Sequence, residues 1–236
     1  MINTGNFEPA LNLMGFSIYG SIYKKDFQNF GCSLKVDFSS QKLIYPNSIK
    51  GRNRNDGFEQ NENFVVFECV NRLLEKGYRP EHIELEKEWH LGHNAKGGRA
   101  DVCVSSLDGS MLFIIECKTS GREYDKAYKD TCFDGGQLFS YWQQEGSTKW
   151  LALYTADISD GKITHKIHTV DCADDKNIVN LAKKDKSIRL YSGAHTVEEK
   201  YSVWKETYSL QEYGDLIFSD ESTAYKIGIP ELTKKS

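Results

Sequence analysis

The sequence predicts an α/β (α+β) fold with a mixed central β-sheet flanked by helices. An Asp-Gly dipeptide at residues 108–109 lies between two β-branched and apolar runs, a strong hairpin signal. Apolar strand-like runs also alternate with segments of helical spacing, in the order helix, strand, strand, strand, helix, strand. That order is typical of helices packed on a mixed sheet.

The chain has 236 residues, 39% of them hydrophobic and 12% aromatic, which suffices to fill the core of one large domain. We expect a single domain with three parts: N-terminal strands and a loop at 1–57, the core at 58–170, and a helical extension and linker at 171–236. The charged end at Ser236 carries no cap or apolar anchor, so we expect the chain to be part of a longer polypeptide.

The segment before residue 91 contains the first predicted elements. Residues 1–33 show no clear period, and residues 34–46 read as two short strands around Ser-Ser-Gln. Helical spacing of Phe64, Phe67 and Leu74 predicts a helix that Gly77 ends. Residues 82–89 alternate apolar and charged side chains, as in a strand with one solvated face, and residues 91–98 read as a loop.

The hairpin around Asp108-Gly109 brings two acids together. With these as the two loop residues, Leu107 faces Ser110, and counting outward pairs Asp101 with Glu116. The side-chain period of two places Lys118 on the same face as Glu116 and turns Cys117 to the other face. Because like charges directly opposite one another are unfavourable, this pairing needs a compensating partner.

The remaining elements follow Gly121. The segment 123–146 has helical character, broken or restarted at Gly135-Gly136. Residues 149–157 and 162–170 read as strands, and short helical pieces are expected near 177–185 and 201–209.

Net charge, cysteine content and hydropathy limit the classes of protein to which the chain can belong. The net charge is −4 and the pI is about 5.9, so the chain lacks the basic excess of a protein that grips nucleic acid alone. Six scattered cysteines without a CxxC pair indicate reduced, mostly buried thiols. No apolar run approaches the roughly 20 residues that span a bilayer, and no signal peptide is present, so we expect a cytoplasmic protein.

A divalent cation resolves the pairing of Asp101 with Glu116. Two converging carboxylates are the hard oxygen ligands that Mg²⁺ requires. A lysine ammonium beside them can hold a nucleophilic water or offset charge that develops on a phosphate oxygen.

These residues resemble the motif of the PD-(D/E)xK nucleases: Asp101, a gap of fourteen residues, then Glu116-Cys117-Lys118, with Ala100 in place of the proline. Gln137 and Tyr141 match the Q-x-x-x-Y motif of RecB-like members. The strings GGQLFSYWQQ and KWLALYTAD are similar to the N-terminal nuclease domain of HsdR-type restriction subunits. They also resemble the nuclease domain that precedes N6-adenine DNA methylases in single-chain restriction-modification enzymes.

The resemblance implies a restriction-endonuclease-like core and a role for each matching residue. Asp101, Glu116 and the backbone carbonyl of Cys117 would bind Mg²⁺ or, in its place, Mn²⁺, and Lys118 would orient the attacking water. Gln137 and Tyr141 would lie beside the scissile phosphate. A glutamate on the first core helix would approach the metal; Glu68 is the preferred match, with Glu62 and Glu59 as alternatives.

The expected function is therefore a Mg²⁺-dependent endonuclease domain of a restriction-modification enzyme that cleaves double-stranded DNA. Lys96, Arg99 and Arg122 flank the motif strands and are candidate DNA contacts. The chain has no GxxxxGK[ST] loop and no Asn/Asp-Pro-Pro-Tyr/Phe segment, so ATP binding and methylation would belong to helicase and methylase partners. Sequence recognition would likewise be left to methylase, helicase or specificity domains or subunits. Two alternatives stay open: a RecB- or Cas4-like repair or recombination nuclease, and a catalytically silent nucleic-acid-binding or docking module.

Overall fold

The computed structural model describes residues 1–51, 56–91, 95–106, 109–134, 136–148, 150–171 and 210–212. Within these residues the helices are α1 (Phe7–Leu13), α2 (Asn61–Glu75), α3 (Arg122–Asp134) and α4 (Gly136–Gln144). The strands are β1 (Ser17–Tyr19), β2 (Ile22–Phe27), β3 (Cys32–Asp37), β4 (Lys42–Ile44), β5 (Ile83–Leu91), β6 (Ala95–Ser105), β7 (Met111–Cys117), β8 (Trp150–Ser159), β9 (Lys162–Asp171) and β10 (Leu210–Glu212).

The strands form two sheets. One is a four-stranded antiparallel sheet in the order β1-β2-β3-β4. The other has the order β10-β9-β8-β7-β6-β5, with β7 and β8 parallel and every other pair antiparallel. The parallel pair requires the crossover that α3 and α4 supply. The predicted mixed α/β fold with helices flanking a mixed sheet is confirmed.

Helix α2 forms where the helical spacing predicts it. Phe64, Phe67, Val70 and Leu74 are buried along its inner face. The helix ends at Glu75, and Gly77 adopts a φ of 93°, which glycine tolerates without steric cost. The apolar face of α2 packs on the sheet and joins it to the N-terminal part of the chain.

The N-terminal part is more ordered than the sequence predicts. The strands at residues 34–46 are confirmed as β3 and β4, but α1, β1 and β2 were not expected. Their short lengths leave little periodicity to detect. Phe7 of α1 lies with its ring centroid 4.3 Å from that of Phe64, so contacts distant in sequence hold this region.

The β6–β7 hairpin keeps the predicted register at its base and loses it at the tip. Val102 pairs with Ile115 and Val104 with Phe113, as counting predicts. A β-bulge after Val104 then shifts the register, and the Ser106 N–H donates to the Ser110 carbonyl at 2.8 Å. The prediction of a two-residue Asp108-Gly109 loop is therefore wrong, because three residues separate Ser106 from Ser110. Residues 107 and 108 lie outside the described residues.

The predicted loop at 91–98 is also wrong. Strand β5 continues to Leu91, and β6 already begins at Ala95. Strand pairing overrides the glycine-rich composition here, and Gly98 lies tightly against a helix for a reason described below.

The large sheet separates two layers. On one face Phe113, Ile115 and Cys117 pack with α2 and the N-terminal elements. On the other face Ile114 and Cys103 pack with α3 and α4. The break between α3 and α4 falls where Gly135-Gly136 predicts it. The helical pieces expected near 177–185 and 201–209 lie outside the described residues.

Strand β10 was not predicted and pairs with β9. In the part of the chain that the structure describes, no helix is both long enough and apolar enough to cross a bilayer.

Candidate active site

The candidate site lies where β6 and β7 separate. Regular pairing of the two strands ends at Val102 and Ile115. Beyond that point the N–H of Cys117 donates to Oδ2 of Asp101 at 2.7 Å. A side-chain carboxylate thus accepts from the main chain of the neighbouring strand, which holds the Asp101 carboxylate at the end of β7.

Glu116 and Lys118 lie together, as the period of two predicts. The Lys118 Nζ is 2.6 Å from Glu116 Oε1. The backbone N–H of Lys118 donates to the Tyr154 carbonyl at 2.9 Å, so β8 extends its pairing just past the end of β7. Cys117 is fully buried in the opposite layer. The strand therefore presents its charged side chains to one face and its thiol to the other.

Glu62, and not Glu68, is the glutamate of α2 that reaches this site. The Glu62 Oε2 lies 3.1 Å from the Lys118 Nζ. Glu68 instead accepts hydrogen bonds from Arg72 at 3.0 and 3.2 Å and from the Tyr154 hydroxyl. The expectation that Glu68 approaches the metal site is corrected, because its carboxylate is committed to a separate buried ion pair.

Tyr141 lies inside the protein. Its hydroxyl is 2.7 Å from Glu116 Oε2 and 2.6 Å from the Arg99 carbonyl, and the side chain is only 1% exposed. In this position its hydroxyl contacts the Glu116 carboxylate. Gln137, one turn earlier on α4, is exposed and lines the cleft described next.

A cleft of about 570 Å³ opens over Glu116 and Lys118. Its wall is built from helices α2, α3 and α4 and from strands β7 and β8. The residues that line it are Glu62, Glu116, Lys118, Glu123, Lys126, Ala127, Asp130, Thr131, Gln137, Leu138 and Leu153. The sequence analysis missed Lys126, although its spacing of four from Arg122 places the two cations on one face of α3.

The charges of the site are not balanced. Three carboxylates, those of Asp101, Glu116 and Glu62, surround one ammonium, that of Lys118, which leaves a formal excess of two negative charges. Burial, and then Glu116 and Glu62, raise the pKa of Asp101 well above its ordinary value. Burial also raises the pKa of Glu116, although Lys118 and Tyr141 oppose that effect.

Lys118 responds in the opposite sense to the same carboxylates. Burial by itself would lower the pKa of Lys118, but Glu116, Asp101 and Glu62 together raise it above the ordinary lysine value. The raised pKa favours the protonated form of Lys118, which can stabilise negative charge and hold a water molecule.

The donor set fits a hard divalent cation. Carboxylate oxygens are the ligands that Mg²⁺ prefers, and a cation would offset the excess negative charge. Within the described residues no group of three His, Cys, Asp or Glu side chains already stands at metal-binding separations, and Lys118 links Glu116 to Glu62. The fit thus rests on the chemistry of Asp101, Glu116 and Glu62 and on their uncompensated charge.

The candidate DNA contacts fall in different places. Arg122 is exposed beside an opening that Glu62 and Glu123 also line. The side chain of Arg99 is half-buried, and its carbonyl accepts from Tyr141. The side chain of Lys96 lies outside the described residues.

No protein-family model matches the sequence. A search of curated proteins likewise finds no match.

Proposed function

We propose that this protein is a Mg²⁺-dependent endonuclease of the PD-(D/E)xK type that hydrolyses phosphodiester bonds of double-stranded DNA. The observation that carries the proposal is a cluster of charged side chains at the end of β7. Glu62, Glu116 and Lys118 line the cleft. Asp101 accepts from the Cys117 N–H and lines a separate small pocket with Glu62.

The proposed reaction is in-line hydrolysis. A water oxygen attacks phosphorus and forms the new P–O bond, while the bond from phosphorus to the 3′ oxygen breaks. The attacking water releases one proton to solvent, and the departing 3′ oxygen takes one proton from solvent. The products carry a 5′-phosphate and a 3′-hydroxyl. Mg²⁺, when bound by Asp101, Glu116 and the Cys117 carbonyl, would supply Lewis-acid stabilisation of the charge on phosphate and on the departing oxygen.

Lys118 has two roles in this proposal. Its ammonium lines the cleft and is already held by two carboxylates, so its position is fixed before DNA arrives. A fixed cation stabilises charge that develops on a phosphate oxygen without reorganisation at the moment of reaction. It can also donate a hydrogen bond that orients the attacking water.

The acidic composition supports a modular context. A chain of net charge −4 gains little from non-specific phosphate contacts, so cytoplasmic partner domains or subunits would deliver the DNA. We propose methylase, helicase or specificity modules of a restriction-modification enzyme in that role, with Lys126 and Gln137 guiding the strand at the rim of the cleft.

The test is nicking of supercoiled plasmid DNA by the purified protein with Mg²⁺ or Mn²⁺. Glu116→Gln should abolish nicking, because it removes a metal ligand and keeps the shape of the side chain. The matched control is Glu8→Gln on the exposed surface of α1, which should nick at the parent rate.

The outcomes separate the alternatives. Equal nicking by Glu116→Gln and the parent would mean that the activity comes from elsewhere and would overturn the site. DNA binding by a parent protein that never nicks, with either metal, would favour the docking module over the enzyme.

A further inference from the structure

The ring of Tyr141 packs against two neighbouring strands. It stacks with Trp89 of β5, at a centroid separation of 5.6 Å and an interplanar angle of 30°. The indole N–H of Trp89 donates to Glu145 Oε2 at 3.3 Å, so the indole is itself held by the residue that follows α4. The ring of Tyr141 also lies close to the backbone of β6 at Gly98.

Gly98 is required by space and not by backbone conformation. Its φ is not positive, so an L-residue could adopt the same backbone angles there. A Cβ at this position, however, would lie 2.8 Å from Cε1 of Tyr141 and 3.3 Å from Nε2 of Gln144. The first distance is below any stable carbon–carbon contact, so the ring or the strand must shift.

The ring has little freedom to shift without moving its hydroxyl. Tyr141 is only 1% exposed, and Trp89 stacks against its ring. The hydroxyl is within hydrogen-bond distance of Glu116 Oε2, while Glu116 Oε1 faces Lys118. Displacement of the ring therefore frees one oxygen of Glu116 and lets the carboxylate rotate.

We propose that Gly98 is a positioning residue for Glu116, and that the missing side chain at Gly98 creates the space in which Tyr141 orients the Glu116 carboxylate. The inference rests on the proposed function, because it gives this orientation the purpose of presenting Glu116 to a divalent cation. Partners that orient metal ligands in this way typically change metal affinity by about 10–100-fold when they are lost.

The experiment is a double-mutant cycle between Gly98→Ala and Tyr141→Phe in the whole protein. The Mn²⁺ dissociation constant is measured by calorimetry, and the free energy of unfolding by urea titration with a chelator present. Each single variant should weaken Mn²⁺ binding by about tenfold or more. The Mn²⁺ dissociation constant of the double variant should not exceed the larger of the two constants measured for the single variants, because both changes break the same contact.

The control is Tyr23→Phe, which removes a buried tyrosine hydroxyl from β2 in the other sheet and should leave Mn²⁺ binding unchanged. Parent Mn²⁺ affinity in Gly98→Ala, or fully additive effects in both measurements, would overturn the proposal. If the parent binds Mn²⁺ but never cuts DNA, the proposed function fails and the Mn²⁺ cycle still decides the role of Gly98. If the parent binds no Mn²⁺, non-additivity in unfolding supports the contact and additivity overturns it.

Discussion

Two buried charged clusters of this protein are built from the same parts and differ in charge balance. Each takes a glutamate from α2, a cation and a tyrosine hydroxyl. Glu68, Arg72 and Tyr154 form one cluster on the α2 side of the sheet, and the carboxylate of Glu68 accepts from both partners. The other joins Glu62, Lys118, Glu116 and Tyr141 and adds Asp101.

The difference is that the first cluster is neutral and closed, whereas the second is acidic and open. One carboxylate meets one guanidinium in the first, and burial raises the pKa of Glu68 only against the opposing effects of Arg72 and Tyr154. In the second, the Lys118 ammonium contacts two carboxylates, Glu116 and Glu62, in the cleft, and the nearby carboxylate of Asp101 adds a third negative charge. Excess charge that the fold leaves uncompensated, and not burial of charge as such, marks the cluster that is suited to a ligand.

The largest effect is expected from breaking the neutral cluster. Arg72→Met removes the cation and leaves the Glu68 carboxylate buried with only the Tyr154 hydroxyl. Losing one partner of a buried pair costs about 3–5 kcal/mol. Urea unfolding should show that loss with and without Mn²⁺, while Mn²⁺ affinity stays at the parent value. A stable Arg72→Met variant with weakened Mn²⁺ binding would contradict the division between the two clusters.

Lys118→Ala should impair catalysis by a free energy similar to the loss of stability in Arg72→Met. We expect Mn²⁺-supported nicking to fall by about 10²–10³-fold at saturating metal, since a fixed donor to developing charge is lost. Without metal the variant should also unfold more easily, because three carboxylates then face each other uncompensated. The control is Lys166→Ala on exposed β9, which should match the parent in both assays. Parent-rate nicking by Lys118→Ala would overturn the proposed mechanism.

Asp101→Asn should raise the free energy of unfolding, whereas Arg72→Met should lower it. The amide oxygen can still accept from the Cys117 N–H, while one of the excess negative charges disappears. The raised pKa of Asp101 means that the fold disfavours its ionised form, so the variant should be more stable than the parent at neutral pH in a chelator. Mn²⁺ should stabilise the parent and no longer stabilise the variant. Reduced stability of Asp101→Asn in the chelator would refute the charge argument.

The smallest effect is expected at the rim of the cleft. Lys126→Gln should raise the KM for DNA by about two- to fivefold and lower the slope of affinity against salt concentration by about one, as loss of one phosphate contact does. Lys129→Gln is the matched control, because Lys129 is exposed on α3 and does not line the cleft. Equal effects of the two substitutions would mean that the cleft does not direct the DNA strand.

The central part of the site could be predicted because it depends on one hairpin. The period of two along a strand and the register at the base of β6–β7 bring Asp101, Glu116 and Lys118 together without knowledge of distant elements.

The choice between Glu62 and Glu68 could not be made in this way. They lie six positions apart on α2, so they point in different directions, and only the rotation of the helix against the sheet decides which reaches Lys118. The apolar neighbours of Glu68 indicated burial correctly. The spacing of four to Arg72 was the available signal that this burial serves an ion pair.

Contacts between segments that are distant in sequence could not be predicted, for the same reason. Nothing local in the sequence states that Gly98 meets Tyr141 or that the ring of Trp89 stacks there. The aromatic N-terminal segment likewise takes its order from packing against α2 and not from its own period.

The β-bulge after Val104 has a consequence for protein engineering. It already absorbs one residue of mismatch between the tip of the hairpin and its base, where Val102 and Ile115 still pair in register. A peptide tag, a fluorophore-bearing cysteine or a tether to another module inserted between Ser106 and Ser110 would therefore lengthen the tip alone. The spacing between Asp101 and Glu116 would be retained, which makes this loop a practical attachment point for reporters and fusions.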